Sequence, residues 1–225
     1  MLAEESISPA VQDYVKAIYV LEARSDDPVS TNALAERLGV SAASASVMVR
    51  RLAELGLADH APYHGVRLTG QGRRVALEVI RHHRLLELFL TEELGMSWDR
   101  VHDEAEVLEH VISEDLEQLI ATRLGNPAVD PHGDPIPTAD LRMDEPATRS
   151  LGTLEPGDRG RFVRVSDSDP AMLAYLRERR IAPGDAFEVV EQEPFGGPLL
   201  VRFGRTTHAL GRDLARAMRV DAGDR

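Results

Sequence analysis

The sequence predicts a mainly α-helical protein with a small β domain: a winged helix-turn-helix, then long helices, then a C-terminal β-barrel. Three observations carry this reading. Between Ser30 and Leu68 a capped helix, a glycine break, a second capped helix and two extended runs follow one another. From Thr69 to Leu124 apolar residues recur at helical spacing among many charges. Beyond Ser150, glycines separate short alternating runs.

Taken in order, Ser8-Pro9 makes a helix start, with Ser8 as cap and Pro9 in the first turn. Val11, Val15, Ile18 and Leu21 mark the apolar face of that helix, Asp13 lies off the stripe, and the helix should stop near Arg24. Ser30 or Thr31 caps a short helix that Gly39 breaks. Ser41 caps the next, over about residues 42–55, and Gly56 ends it. Leu57 to Asp59 and Val66 to Leu68 are extended and are joined by the turn Ala61-Pro62-Tyr63-His64-Gly65, which makes the wing. A long helix should run from Thr69-Gly70 to about Glu93, and a second from Trp98 to Leu124. Prolines at 127, 131, 135, 137 and 146 make residues 126–150 read as a linker. Strands are expected at Arg161–Val165, Ala186–Val190 and Leu199–Phe203, with one helix over Pro170–Arg179.

Composition narrows the function. The chain has 225 residues, a net charge of -12 and no cysteine. Disulfides and thiolate metal sites are therefore excluded. No apolar run is long enough to span a bilayer, and Met1 to Gln12, carrying Glu4 and Glu5, lacks a signal-peptide layout, so a cytoplasmic protein is expected. The charge is unevenly spread. Residues 30–84 hold 8 basic and 4 acidic side chains, whereas residues 85–149 hold 4 and 16. The basic segment is the helix-turn-helix, and phosphate attraction is local, so a basic face can work on an acidic protein.

The second helix of such a motif presents its first residues to base edges. Here these are Ser41, Ala42, Ala43, Ser44, Ser46 and Val47, whose small side chains allow close approach to a major groove. Arg50 and Arg51 suit phosphates further along, and Arg67 on the wing suits the backbone or the minor groove. With no Gln or Asn to read a base bidentately, DNA shape should contribute to specificity.

The acidic segment carries ligand chemistry. On one helix, His102, Glu106, Glu109 and His110 share a face beside the apolar stripe Val101, Ala105, Leu108, Ile112. His83 and Glu87 repeat the four-residue spacing one segment earlier. Imidazoles and carboxylates converging beside a core suit a divalent cation, whereas a solvated pair such as His102 with Glu106 is the plainer alternative. His60, His64, His132 and His208 show no same-face carboxylate partner, and His82 is off the register of Glu87.

Asp13-Tyr14, the winged motif, His83-Arg84-Leu85-Leu86-Glu87, the run from Val101 to His110 and Asp134-Pro135-Ile136-Pro137 together resemble the diphtheria toxin repressor family, closely over roughly residues 8–140. The C-terminal part resembles that family's SH3-like (FeoA-like) domain more loosely. The resemblance implies a winged helix-turn-helix DNA-binding domain over 1–74, a helical dimerisation and metal-binding domain over 75–140, a linker over 141–150 and the SH3-like domain over 151–225. It implies a primary metal site of Asp13, Glu106, Glu109 and His110. It also implies an ancillary site of His83, Glu87 and His102, with Asp169 as an extra ligand and Asp167 close by. The iron-sensing branch has a methionine and a cysteine where this chain has Asp13 and Glu106, so the chain resembles the manganese branch. Hard oxygen ligands suit Mn²⁺. Binuclear manganese regulators carry a glutamate where this chain has Lys16, which cannot coordinate while charged, so separated sites fit better.

The resemblance implies a homodimeric repressor of metal-uptake genes that binds a palindromic double-stranded operator with Mn(II) as co-repressor. It implies no membrane and no enzymatic activity. Fe(II) as the physiological co-repressor is the alternative, and Co(II) or Zn(II) could also bind in vitro. A metal-dependent hydrolase is the rival class, but the inverted zinc-protease pattern needs histidine where Val107 stands. A third reading makes the C-terminal domain a peptide-binding module, for which its aromatics are few.

Overall fold

The structure, a computed structural model, describes residues 7–23, 25, 27–61 and 65–222. The expected helix stop at Arg24 and the turn residues Pro62, Tyr63 and His64 lie outside them. The chain divides into two compact units. The first comprises Met1–His83, Leu108–Ile112 and Pro137–Met143, and the second Arg84–Val107, Ser113–Ile136 and Asp144–Arg225.

In the first unit, α1 spans Pro9–Glu22, with Pro9 at its first turn and no side-chain hydrogen bond from Ser8. Helix α2 (Thr31–Leu38) is capped by Ser30, whose hydroxyl accepts from Ala33 N, and Gly39 ends it in the left-handed region (φ 64°). Helix α3 (Ala42–Glu54) starts at Ser41, which accepts from Ser44 N. The wing is an antiparallel pair, β1 (Ala58–Ala61) with β2 (Gly65–Leu68). Val15, Ile18, Leu34, Ala45, Val49, Leu52 and Leu57 close the core among these elements. Glu22, at the end of α1, ties the wing down: one carboxylate oxygen accepts from Leu68 N at 2.9 Å and the other from Arg73 at 2.6 Å.

Helix α4 covers Gly70–Glu92. The single helix expected over Trp98–Leu124 is two, α5 (Val101–Leu108) and α6 (Glu114–Arg123). The break has a local cause. Ser113 caps α6 by accepting from Leu116 N, and Glu114, Asp115 and Glu117 place negative charge on its first turn, where the helix dipole favours it. Glu109 and His110 therefore sit in the turn beyond α5. In the second unit the stretch read as a linker is packed. Asp130, His132 and Ile136 are buried, and Val129 pairs with Pro135 across a tight loop.

The remaining chain forms a six-stranded antiparallel sheet in the order β3 (Arg149–Ser150), β8 (Met218–Ala222), β4 (Arg159–Val165), β5 (Ala186–Gln192), β6 (Leu199–Phe203), β7 (Thr206–Leu210). Helices α7 (Pro170–Glu178) and α8 (Arg212–Ala217) complete it over a core of Phe162, Leu173, Leu176, Val201, Leu210 and Met218. Strands β7 and β8 and helix α8 were not expected. α8 is only six residues long and β7 has few large apolar side chains, whereas β8 does alternate apolar and charged residues over its five positions. Among the described residues no helix is long and apolar enough to cross a membrane.

Gly72 shows how tightly the wing meets α4. A Cβ there would lie 1.9 Å from the carbonyl oxygen of Leu57. Alanine in a helix ordinarily stabilises relative to glycine, but here it must push backbone apart. Gly72→Ala is expected to destabilise the protein by about 3 kcal/mol, read as a lowered urea midpoint.

Candidate metal centres and nucleic-acid interface

The first centre is in the first unit and is built by α1 and the turn after α5. Asp13 Oδ1 lies 2.9 Å from His110 Nε2, and Glu109 Oε1 lies 3.7 Å from the same nitrogen. Asp13, Glu109 and His110 can each offer one ligand atom within 4.8 Å of the others. The other ring nitrogen of His110 is held by Gln12 Oε1 at 2.6 Å, which fixes the ring and leaves Nε2 facing the carboxylates. The Glu109 side chain has no exposed surface. Lys16 donates to both its oxygens, at 2.9 and 2.8 Å, and His83 Nδ1 lies 2.5 Å from Oε2. His82 Nδ1 lies 3.1 Å from the backbone carbonyl of Glu109. Within the first unit, the expected primary ligands Asp13, Glu109 and His110 come together. Glu106 belongs to the second unit, where its Oε1 is 3.8 Å from His102 Nε2.

The second centre lies in the second unit around Glu87, which is fully buried. Oε1 of Glu87 is 3.5 Å from His102 Nδ1, and Oε2 is 3.6 Å from His132 Nδ1. Asp167 Oδ2 approaches His102 Nδ1 to 3.2 Å. Asp130 completes a fully buried trio with Glu87 and His132. Within the second unit, the expected ancillary ligands Glu87 and His102 meet here; His83 is in the first unit, where it faces Glu109. Asp169 is not a candidate ligand. Its carboxylate caps α7 by accepting from Ala171 N and Met172 N, and the side chain that reaches the centre is Asp167. A proline-initiated helix needs an acceptor immediately before it, which fixes Asp169 and leaves Asp167 free of the cap.

Asp130 and His132 were missed because they lie in the supposed linker and have no helical partner in sequence. The signal available was the tight Asp130-Pro131-His132-Gly133-Asp134 loop. Asp130 Oδ1 accepts from the backbone of His132 and Asp134, and Gly133 (φ 88°) passes so close to β4 that a Cβ would lie 2.0 Å from Val163 O. His132 pairs Nε2 with the Trp98 carbonyl at 2.8 Å and stacks on the Trp98 ring. With Nε2–H donating there, Nδ1 faces the carboxylates with no hydrogen-bond partner within reach, and it offers its lone pair to a cation once its proton is lost. An oriented imidazole with an orphaned nitrogen beside carboxylates fits a divalent cation.

The electrostatics agree. Hydrogen bonds to Asp167 and Glu87 raise the His102 pKa to about 10 against the opposing effect of burial. Burial works against charge on His132, but Glu87 and then Asp130 outweigh it and raise its pKa to about 9. Burial, helped by Asp134 and Glu87, lifts Asp130 to about 8.

On α3, Ser41, Ala42, Ala43, Ser44 and Val47 are exposed, and Ala45, Val49 and Leu52 are the buried face. Ser46 is half-buried and spends its hydroxyl proton on Ala42 O. Arg50, Arg51 and Arg67 are exposed, with Arg51 3.5 Å from Glu54.

Three family models match the chain. They describe the iron-dependent repressor N-terminal DNA-binding domain (residues 6–66), the iron-dependent repressor metal-binding and dimerisation domain (69–138) and the FeoA domain (149–222). The iron-dependent repressor IdeR of Mycobacterium tuberculosis is 32% identical over 92% of this chain and 95% of its own length. The diphtheria toxin repressor of Corynebacterium efficiens is 31% identical over 94% of each. Among solved structures, a manganese-dependent transcriptional repressor in complex with manganese superposes with a TM-score of 0.87 at 46% identity, covering 94% of this chain and 99% of that one.

The raised pKa values give a pH dependence. Asp130 holds a proton in the fold up to about pH 8, which the unfolded chain gives up near 3.8, and His102 holds one to about pH 10 rather than 6.5. The metal-free fold binds more protons than the unfolded chain in both windows, so its stability should fall as pH rises from about 4 to 10. Cation ligation needs these protons gone, so binding of a divalent cation should tighten with pH and release protons. Calorimetry in buffers of differing ionisation enthalpy reads the release. A heat independent of buffer would contradict this ligand set.

Proposed function

This chain belongs to the diphtheria toxin repressor family, and from that premise we propose that it is a manganese-dependent repressor that binds DNA when Mn²⁺ is held. A metal-dependent DNA-binding repressor, and not an enzyme, is what the family implies. The observation that carries the reading is the Asp13–His110 contact. It joins the DNA-binding half of the chain to the acidic turn through two groups that a hard divalent cation would bind. Asp13, Glu109 and His110 would hold one ion, and Glu87, His102, Asp130, His132 and Asp167 are the candidates for a second. Mn²⁺ is supported by the all-oxygen-and-imidazole donor sets, by the absence of cysteine and by the manganese named in the structural relative. Fe²⁺ is the second reading, favoured by the iron-dependent sequence relatives.

A bound cation supplies the positive charge that lets carboxylates converge without mutual repulsion. The chain's own residues do the rest. Asp13 fixes α1 to the turn at His110, and α1 packs against α2, α3 and β2 through Val15 and Ile18. α3 then presents Ser41 to Ser44 and Val47 to the major groove. Exposed Leu94, Val107, Leu116 and Leu119 in the second unit supply apolar surface for a homodimer. Two α3 helices at one spacing would suit a palindromic operator. Control of metal-uptake genes in the cytoplasm completes the proposal.

DNA affinity with and without Mn²⁺ or Fe²⁺ tests it. Wild type should gain roughly 5- to 150-fold on Mn²⁺ addition, and Asp13→Ala should lose most of that gain while folding normally. Equal affinities with and without metal in both proteins would remove the coupling. A larger gain with Fe²⁺ than with Mn²⁺ would favour the second reading. Arg50→Ala should weaken binding on all sequences alike and flatten the slope of log K against log salt by about 1.

A further inference from the structure

We propose that Lys16 is a tethered cation that competes with the divalent ion for Glu109 and so sets the metal concentration at which the first centre fills. The inference rests on the reading of Asp13, Glu109 and His110 as ligands. Lys16 follows Asp13 by three residues on α1, close to one helical turn, so the same helix delivers a ligand carboxylate and an ammonium to one place. Its Nζ donates to both oxygens of Glu109, at 2.9 and 2.8 Å, and lies 3.3 Å from His83 Nδ1. The contact is shielded: the Lys16 side chain is 16% exposed and that of Glu109 0%. Lysine has three donors and no lone pair while charged, so it cannot join a coordination shell, only repel what the shell would hold.

The geometry forces a choice. An ion bound through Asp13, His110 and Glu109 Oε1 must share the Glu109 carboxylate with an ammonium that already spans both oxygens, or drive it off. Sharing sets two like charges a few ångströms apart with little water between them, and displacement leaves a tethered ammonium to be rehoused. Both costs weaken metal binding. The same ammonium keeps the Glu109 charge compensated when metal is scarce, so the metal-free fold stays intact and can wait for its ion.

The test is calorimetric Mn²⁺ titration of the full chain, with thermal unfolding of each metal-free form. Lys16→Met removes the charge and keeps the stem, Lys16→Arg keeps the charge, and Asp13→Ala identifies the binding step that belongs to this centre. Lys16→Met is expected to bind Mn²⁺ roughly tenfold or more tightly at the Asp13-dependent step. Its metal-free form should melt lower than wild type, and Mn²⁺ should raise its melting temperature by more. Lys16→Arg should stay close to wild type. Lys16→Gln serves the same titration where Lys16→Met does not fold without metal. A folded Lys16→Met or Lys16→Gln protein with unchanged or weaker affinity at that step overturns the proposal. Absence of any Asp13-dependent step in wild type overturns the ligand reading itself, and the role of Lys16 with it, and is told apart by the wild-type trace alone.

Discussion

A carboxylate sealed from water has to be met by positive charge or by a proton, and this constraint organises both units of the chain. Glu109 and Glu87 have no exposed side-chain surface. An unpaired charge in such a place would be prohibitively costly, so each glutamate gathers compensating groups around itself. Around Glu109 these are Lys16 and His83, with His110 a little further away. Around Glu87 they are His102 and His132. Hydrophobic packing of Val15, Ile18, Leu34 and Leu52 makes the first unit stable, but the buried acid decides which segments must come together. The turn after α5 is held at α1 because its glutamate has its partners there.

The two glutamates are compensated differently, and the difference is chemical. Glu109 faces an ammonium, which has no lone pair to offer a metal while charged. Glu87 faces two imidazoles, which can give up their protons and become ligands. A cation at its centre would therefore replace protons with no side chain leaving, while one at Glu109 would contend with a resident charge. The loop at Asp130 serves the same end. Gly133 brings it against β4, Asp130 folds it on itself, and the Trp98 carbonyl fixes the His132 ring. The β domain then contributes Asp167 from the short segment that follows β4. A cation held by groups from α4, α5, a proline-rich loop and a β domain would tie those pieces of the second unit together.

Much of this was legible in the sequence, and the failures share one cause. Ser30, Ser41, Gly39 and the wing follow local rules of capping and turning, and local rules are written in adjacent residues. Asp13, Glu109 and His110 were legible through a resemblance, with helical spacing pointing to the last two. What depended on long-range contact was hidden. The loop with Asp130 and His132 looked like a linker because proline dominates it, yet Asp130 is held by the loop backbone and His132 Nε2 by the distant Trp98 carbonyl. Asp167 and Asp169 differ by two positions, and only the cap on α7 separates them. The break at Ser113 was readable, since a serine followed by three acids is a helix start, but the apolar stripe ran straight across it.

The DNA-facing surface makes a complementary argument about where control resides. Ser41 to Val47 offer small side chains, one of them with its hydroxyl already turned back on Ala42. Such a helix has few strong directional contacts, so its grip depends on close approach and on the phosphate-facing arginines around it. Close approach by two copies at once demands correct spacing, because a small shift loses many weak contacts together. A reader built this way is poorly suited to tight binding on its own and well suited to being positioned by something else. A cation held at the turn of Glu109 and His110, which is fastened to α1, would do that positioning and would make the modest chemistry of α3 part of a switch.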